Sequence, residues 1–240
     1  LWLDAGIFAS HIGFESAVSK DCWGLTRSIL ADNSPYYESG AKLTYISNNT
    51  KWLLSGLILN GWQHIQRPDG NNSPAFGTQI TFTPNSNITL NYSTFIGNDK
   101  PDTAKQMRYF HNLYGVFHVS DKFHITAGFD YGMEQKSEAS SDYNAWYSPV
   151  ILVKVNMNDQ WSVTARGEYY MDEKGVIIAT GTTNGFQTTG YSLNLDCKLR
   201  ENAVWRIEAR TLNSKDKIFS KENGVVNTNT FVTTSLAISF

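Results

Sequence analysis

The chain has 240 residues, of which 41% are hydrophobic, 13% aromatic and 18% charged, and its formal net charge is −2. That length allows one large domain or two small ones; the near-neutral charge argues against a nucleic-acid binder; two cysteines exclude a disulfide-stapled scaffold. Mean hydropathy is negative and no window approaches the roughly 18 apolar residues of a spanning helix, so hydropathy alone reads the chain as soluble.

The order of the residues says otherwise. Leu1 to Phe8 are already strand-like, with no initiator Met, basic segment or apolar leader, so the chain is expected to be mature or an excerpt from a longer protein. From there a period-two alternation recurs. Phe123, Ile125, Ala127, Phe129, Tyr131 and Met133 oppose His124, Thr126, Gly128, Asp130, Gly132 and Glu134. Trp161, Val163, Ala165 and Tyr169 oppose Ser162, Thr164, Arg166 and Glu168. Tyr191, Leu193, Leu195 and Cys197 oppose Ser192, Asn194, Asp196 and Lys198. Val232, Leu236, Ile238 and Phe240 oppose Thr233, Ser235, Ala237 and Ser239. Twelve strands are expected, over 1–9, 38–48, 51–66, 75–84, 88–98, 107–119, 123–137, 145–157, 161–173, 187–200, 203–218 and 227–240. Many reach ten residues or more, whereas globular strands average about five or six and tilted membrane strands need about 9–11.

Short polar turns, such as Asn85-Ser86-Asn87 and Asn158-Asp159-Gln160, alternate with longer loops near 67–74, 99–106, 137–144, 175–186 and 220–226. An apolar, usually aromatic residue opens each strand after a short turn: Trp52, Ile88, Phe123, Trp161 and Trp205. On a barrel these residues share one depth, the place of an interfacial girdle. Trp62, Tyr131 and Tyr169 are expected near the other one. The fold class read from this layout is all-β: an antiparallel up-and-down transmembrane β-barrel, one domain over residues 1–240. In 51–66 and 145–157, Leu53-Leu54 and Val150 to Val153 put apolar groups on both faces, the mark of a strand covered on both sides.

A membrane barrel turns its apolar face to lipid and its polar face to a lumen. The polar parity includes Asp130, Lys154, Arg166, Glu168, Asp196, Lys198, Arg206, Glu208 and Arg210, which are expected to line that lumen, their opposite charges pairing into a ladder across the wall. A soluble lipocalin-type barrel would instead need an apolar lumen and about eight strands. Residues 10–37 form a long loop too apolar to float: Phe14, Trp23, Ile29 and Leu30 need something to pack on. The loop is expected outside the cell and folded into the lumen, with Glu15, Lys20, Asp21 and Arg27 facing the wall charges and setting a constriction field. A packed extracellular cap is the other reading.

No catalytic residue and no metal site is expected. His118 and His124 flank one short turn and should lie close together, as solvated wall residues; Asp121 is the one local candidate for a third ligand. Cys22 in the long loop and Cys197 on the lipid-facing parity are expected at opposite ends of the barrel, with no disulfide between them.

Asp4-Ala5-Gly6-Ile7-Phe8, Ile12-Gly13-Phe14-Glu15, Thr26-Arg27-Ser28, Tyr36 to Tyr45 and Leu59-Asn60-Gly61-Trp62-Gln63 resemble the OmpL-like β-barrel porin family. The motif-rich match covers about residues 1–66; beyond it the likeness is one of strand pattern. The ending on Phe240 resembles the last strand of Gram-negative outer-membrane barrels. The resemblance implies a passive pore in the bacterial outer membrane. Its partners would be the lipid bilayer and small hydrophilic solutes, with no nucleic acid and no cofactor; a homo-oligomer is allowed. Family members are usually longer, with strands before this point, so the resemblance implies an N-terminally truncated barrel. A plugged, receptor or adhesin-type barrel stays open as an alternative. So does a barrel enzyme, although no His stands in a recognisable His-x-Ser-Asn arrangement.

Overall fold

The alternating segments pair with their sequence neighbours, because each short turn or loop returns the chain beside the strand it has just left. A computed structural model describes residues 1–239. The first strands are β1 (Trp2–Ala9), β2 (Tyr37–Ile46), β3 (Trp52–Leu59), β4 (Ala75–Asn85), β5 (Ile88–Asn98) and β6 (Met107–His118). They are followed by β7 (Phe123–Gln135), β8 (Tyr143–Asn156), β9 (Trp161–Asp172), β10 (Phe186–Arg200) and β11 (Ala203–Ser214). A small hairpin, β12 (Phe219–Lys221) with β13 (Gly224–Val226), precedes β14 (Thr228–Ile238). Strands β1 to β11 and then β14 form one twelve-stranded sheet in chain order, antiparallel throughout.

Parity sorts the sheet into two unlike faces. The outer one is apolar and bare: Tyr191, Leu193 and Val232 are 61%, 57% and 67% exposed. Between the strand ends no Asp, Glu, Lys or Arg lies on this face among the described residues, and His111 is its one imidazole. The side chains that open strands after short turns sit there together. Trp52 stacks on Phe82 at 4.2 Å, and Trp161 meets Trp205 edge-on at 6.5 Å. The inner face is polar and covered. Its cover is the connection 10–36, which carries one helical turn, α1 (Ile29–Asp32), capped by the Ser28 hydroxyl accepting from the Ala31 N–H.

Several boundaries depart from the sequence expectation for local reasons. The strand expected over 51–66 ends at Leu59. Gly61 at φ 135° and Gln63 at φ 58° then turn the chain inward. Trp62 consequently leaves the outer girdle expected of it and packs inside, 5.1 Å from Phe95 and 4.7 Å from Phe110. The strands expected over 203–218 and 227–240 stop at Ser214 and start at Thr228, because β12 and β13 pair with each other within the connection. Phe240, expected on the outer parity, lies outside the described residues. The two-sided apolar run in β8 has a cause: Ile151 is exposed outward, while Val150 and Leu152 are buried beneath Leu30, Phe14 and Trp23.

Candidate functional site

The inner face acquires its shape from what the 10–36 connection finds to bond. Its first residues cross β5 and β6. The Ser93 hydroxyl donates to the His11 carbonyl at 2.6 Å, and the Gly13 N–H donates to Asn112 Oδ1 at 3.1 Å. Ile12 and Ile29 join a buried cluster with Leu57, Leu59, Phe95, Phe110 and Trp146. Small residues make the room. A Cβ at Gly128 would lie 2.6 Å from the Phe14 ring, and one at Gly132 would lie 2.1 Å from Trp146.

Further on, the connection reaches the charges of β9, β10 and β11. Arg166 donates to Glu208 at 2.8 Å and Arg210 donates to Glu168 at 2.7 Å. Both pairs therefore step over β10, whose Ser192 and Gly190 are small enough to be spanned. The connection threads through this crossed pair by its backbone. The Thr26 N–H and hydroxyl donate to Glu208 at 2.7 and 2.8 Å, and Arg166 donates back to the Thr26 carbonyl at 2.7 Å. The Ile29 N–H donates to Glu168 at 2.7 Å, and Arg210 donates to the Arg27 carbonyl at 3.0 Å. Lower down, Arg206 pairs with Asp196 on the neighbouring strand at 2.9 Å and also donates to the carbonyls of Ser19 and Cys22 at 2.6 and 2.8 Å. All these wall ions are buried, so each bond replaces hydration that the site has removed.

Of the wall residues expected from parity, Arg166, Glu168, Glu208, Arg210, Asp196 and Arg206 are brought into this one network. Asp130 is buried apart from it and accepts from Asn112 Nδ2 at 2.6 Å. Lys154 and Lys198 border a cavity of about 700 Å³ at the short-turn end, together with Lys20, Asp21 and Trp23. The pairing is a cross-strand ladder only at Asp196–Arg206; Arg166–Glu208 and Arg210–Glu168 skip a strand, and Arg166 also lies 3.3 Å from Glu168 along β9.

The connection's own ions behave differently from expectation. Glu15 turns to Ser28, accepting from its N–H at 3.0 Å and from its hydroxyl, and burial pushes the Glu15 carboxyl above the usual carboxylate range. Lys20 and Asp21 pair with each other at 2.8 Å, exposed. Arg27 donates to the Ser16 carbonyl at 2.7 Å. Among the described residues none of the four forms an ion pair with the wall: main-chain groups, with the hydroxyls of Thr26 and Ser19, answer the wall charges instead.

Three further placements were not foreseen. Asn112 holds the start of the connection; it lies on β6, where no alternation was read. Arg108 pairs with Asp99 at 2.9 Å and Glu134 at 2.7 Å beside Trp62 at the long-loop end, a cluster that only the β6–β7 register reveals. Cys22 reaches the level of Arg206, so it is not at the opposite end of the barrel from Cys197. Both are free because the sheet itself lies between them. His118 and His124 do meet, and no group of three or more His, Cys, Asp or Glu side chains is placed to hold a metal among the described residues.

An up-and-down wall of twelve long strands, apolar outside and charged inside, is an outer-membrane β-barrel of the porin class. The chain matches over residues 1–240, and belongs to, the family described as "Putative beta-barrel porin-2, OmpL-like". No curated protein sequence matches it. Solved structures share the fold at low identity. The outer-membrane channel DcaP of Acinetobacter baumannii has a TM-score of 0.63 at 10% identity, over 98% of this chain and 71% of that one. A loop L8 deletion mutant of OmpT, an outer-membrane protein of Vibrio cholerae, has a TM-score of 0.64 at 12% identity, over 98% and 74%. An anion-selective porin from Comamonas acidovorans has a TM-score of 0.59 at 7% identity, over 83% of this chain; the match spans 57% of that porin's length. The protein is a component of the bacterial outer membrane.

Proposed function

We propose that the protein is a porin-like channel for passive diffusion of small hydrophilic solutes. The 10–36 connection acts as an internal constriction on the lumen side of a single barrel domain and enters from the extracellular end. The charged wall is built by Asp130, Lys154, Arg166, Glu168, Asp196, Lys198, Arg206, Glu208 and Arg210; Lys154 and Lys198 border the open cavity with Lys20 and Asp21, and the connection, which also carries Glu15 and Arg27, is seated over most of the others. One observation carries the reading. The connection is laid along the charged wall and fastened to β5, β6 and β9 to β11, so it narrows a polar passage without needing a separate plug domain. Family membership favours a channel over an enzyme.

The test is conductance of the purified full-length protein in planar bilayers, with neutral polymers of increasing size as blockers. Ohmic steps with a size cut-off are expected. Absence of any opening would replace the channel with a plugged or receptor-type barrel. Lipid hydrolysis by the same preparation would replace it with an enzyme.

A further inference from the structure

The geometry points to a two-histidine site for a Cu(II)-type divalent ion, formed by His118 and His124 at the short-turn end of the inner face. The two residues are direct cross-strand partners at the β6–β7 turn. Their Nδ1 atoms are 2.9 Å apart and their ring centroids 4.9 Å apart. Metal–nitrogen bonds of about 2.0 Å at a right angle put two nitrogens about 2.8 Å apart, whereas a tetrahedral ion needs about 3.3 Å. The present separation is that of a hydrogen bond between the rings, and the cross-strand pairing leaves both nitrogens within reach of adjacent equatorial positions of tetragonal Cu(II) or Ni(II). Cu(II) is also the ion that nitrogen sites bind most tightly in the divalent series.

The surroundings fix the state of the pair. Asn156 Nδ2 donates both to the Asp121 carbonyl, at 3.1 Å, and to His124 Nε2, at 2.9 Å. A carbonyl only accepts, so the amide nitrogen must sit there, and His124 Nε2 is the lone-pair nitrogen. His124 thus carries its proton on Nδ1 and donates it to His118 Nδ1. Binding the ion moves that proton to Nε2, frees both Nδ1 lone pairs, and needs a rotation of the rings about χ2, which is soft for histidine. The new Nε2–H then takes Asn156 Oδ1 as its acceptor, the outer-shell contact that orients metal-bound imidazoles, and Asn156 gives up its bond to the Asp121 carbonyl in exchange. Trp23, from the 10–36 connection, lies 6.1 Å from the His124 ring and walls the site on the inner side. Water completes the coordination.

The experiment is a Cu(II) titration of the full chain in detergent, followed by electron paramagnetic resonance. One ion per chain with two equatorial nitrogens is expected. His118→Ala and His124→Ala should each weaken it at least about tenfold, and His64→Ala should not. Asn156→Asp should tighten it, because a carboxylate is the stronger acceptor for Nε2–H. Heat-modifiable gel mobility establishes that each variant is folded. Absence of a two-nitrogen spectrum in the wild type, or equal binding by the His118→Ala/His124→Ala double variant, overturns the site. Binding is read without conduction, so failure of the site and failure of the channel reading are separate results.

Discussion

Arg166 on β9 and Glu208 on β11 bond at 2.8 Å across a strand that neither belongs to, and both also hold Thr26. With Arg210 and Glu168 they make a crossed clamp whose third component is the connection, held by its main chain and by the Thr26 hydroxyl. Replacing Glu208 with Gln leaves the Arg166 guanidinium buried with one formal partner fewer. Breaking such a buried pair costs about 3–5 kcal/mol. The seated connection should therefore open at least a hundredfold more often, read as faster tryptic cleavage after Lys20 and Arg27. The double variant Arg166→Met/Glu208→Leu should be milder than either single change, since it strands no charge. Unchanged cleavage in Glu208→Gln would show that the clamp does not hold the connection.

The bare outer face makes an opposite prediction. Leu193 is 57% exposed there, midway along β10. Leu193→Arg should cost about 2–4 kcal/mol of folding free energy in lipid vesicles. Lys198→Leu, at the cavity border, should cost far less. Equal effects would mean that the two faces are wrongly assigned.

Gly132 leaves the space that the Trp146 indole fills, 2.1 Å from where a Cβ would stand. Gly132→Val should expel Trp146 from its place beside Phe110, 6.2 Å away, and destabilise the protein by about 1–3 kcal/mol. The direct readout is loss of the near-ultraviolet circular dichroism of the buried indole. A retained spectrum would sink the prediction.

At the long-loop end, Asp216 accepts from the Asn184 N–H at 2.9 Å and from its side-chain amide at 2.8 Å. These bonds hold the half-buried Asp216 carboxyl below the usual carboxylate range. A lowered acid contributes its stabilisation above the unfolded-state pKa and loses it as pH falls through the folded-state value. The junction of the 173–185 and 215–227 loops should therefore stay closed at neutral pH and loosen only in strong acid. Amide exchange at Asn184 measures this. Asp216→Ala should abolish the dependence, and exchange that quickens as pH rises from 5 to 7 beyond the intrinsic rate would contradict it.

The strands were legible because the information is local: each carries its own alternation, and the apolar set of one strand needs only its neighbours to make a continuous outer surface. The clamp was not. Arg166, Glu168, Glu208 and Arg210 stand out as charges on one parity, yet which of them meet depends on the register of three strands and on Ser192 being small. The role of Ile29 and much of that of Thr26 lie in main-chain groups, which every residue owns; only the Thr26 hydroxyl on Glu208 belongs to its side chain, so composition carries little trace of them. Trp62 misleads for a related reason. An aromatic near a strand end reads as a girdle residue, and only the positive φ of Gly61 and Gln63 sends it inside.

The same connection sets an order on assembly. Thr26 bonds Arg166 and Glu208 across 140 and 182 residues of chain, whereas the strand pairings beside it are made between sequence neighbours. Contacts that close such long loops form late. The clamp has no acceptor for Thr26 until β9, β10 and β11 are in register, so hairpins accumulate first and the segment near the start of the sequence waits for strands near its end. A protein halted before β11 would have a wall but no seated constriction. Seating of the connection is thus a built-in report that the far side of the barrel has been laid down.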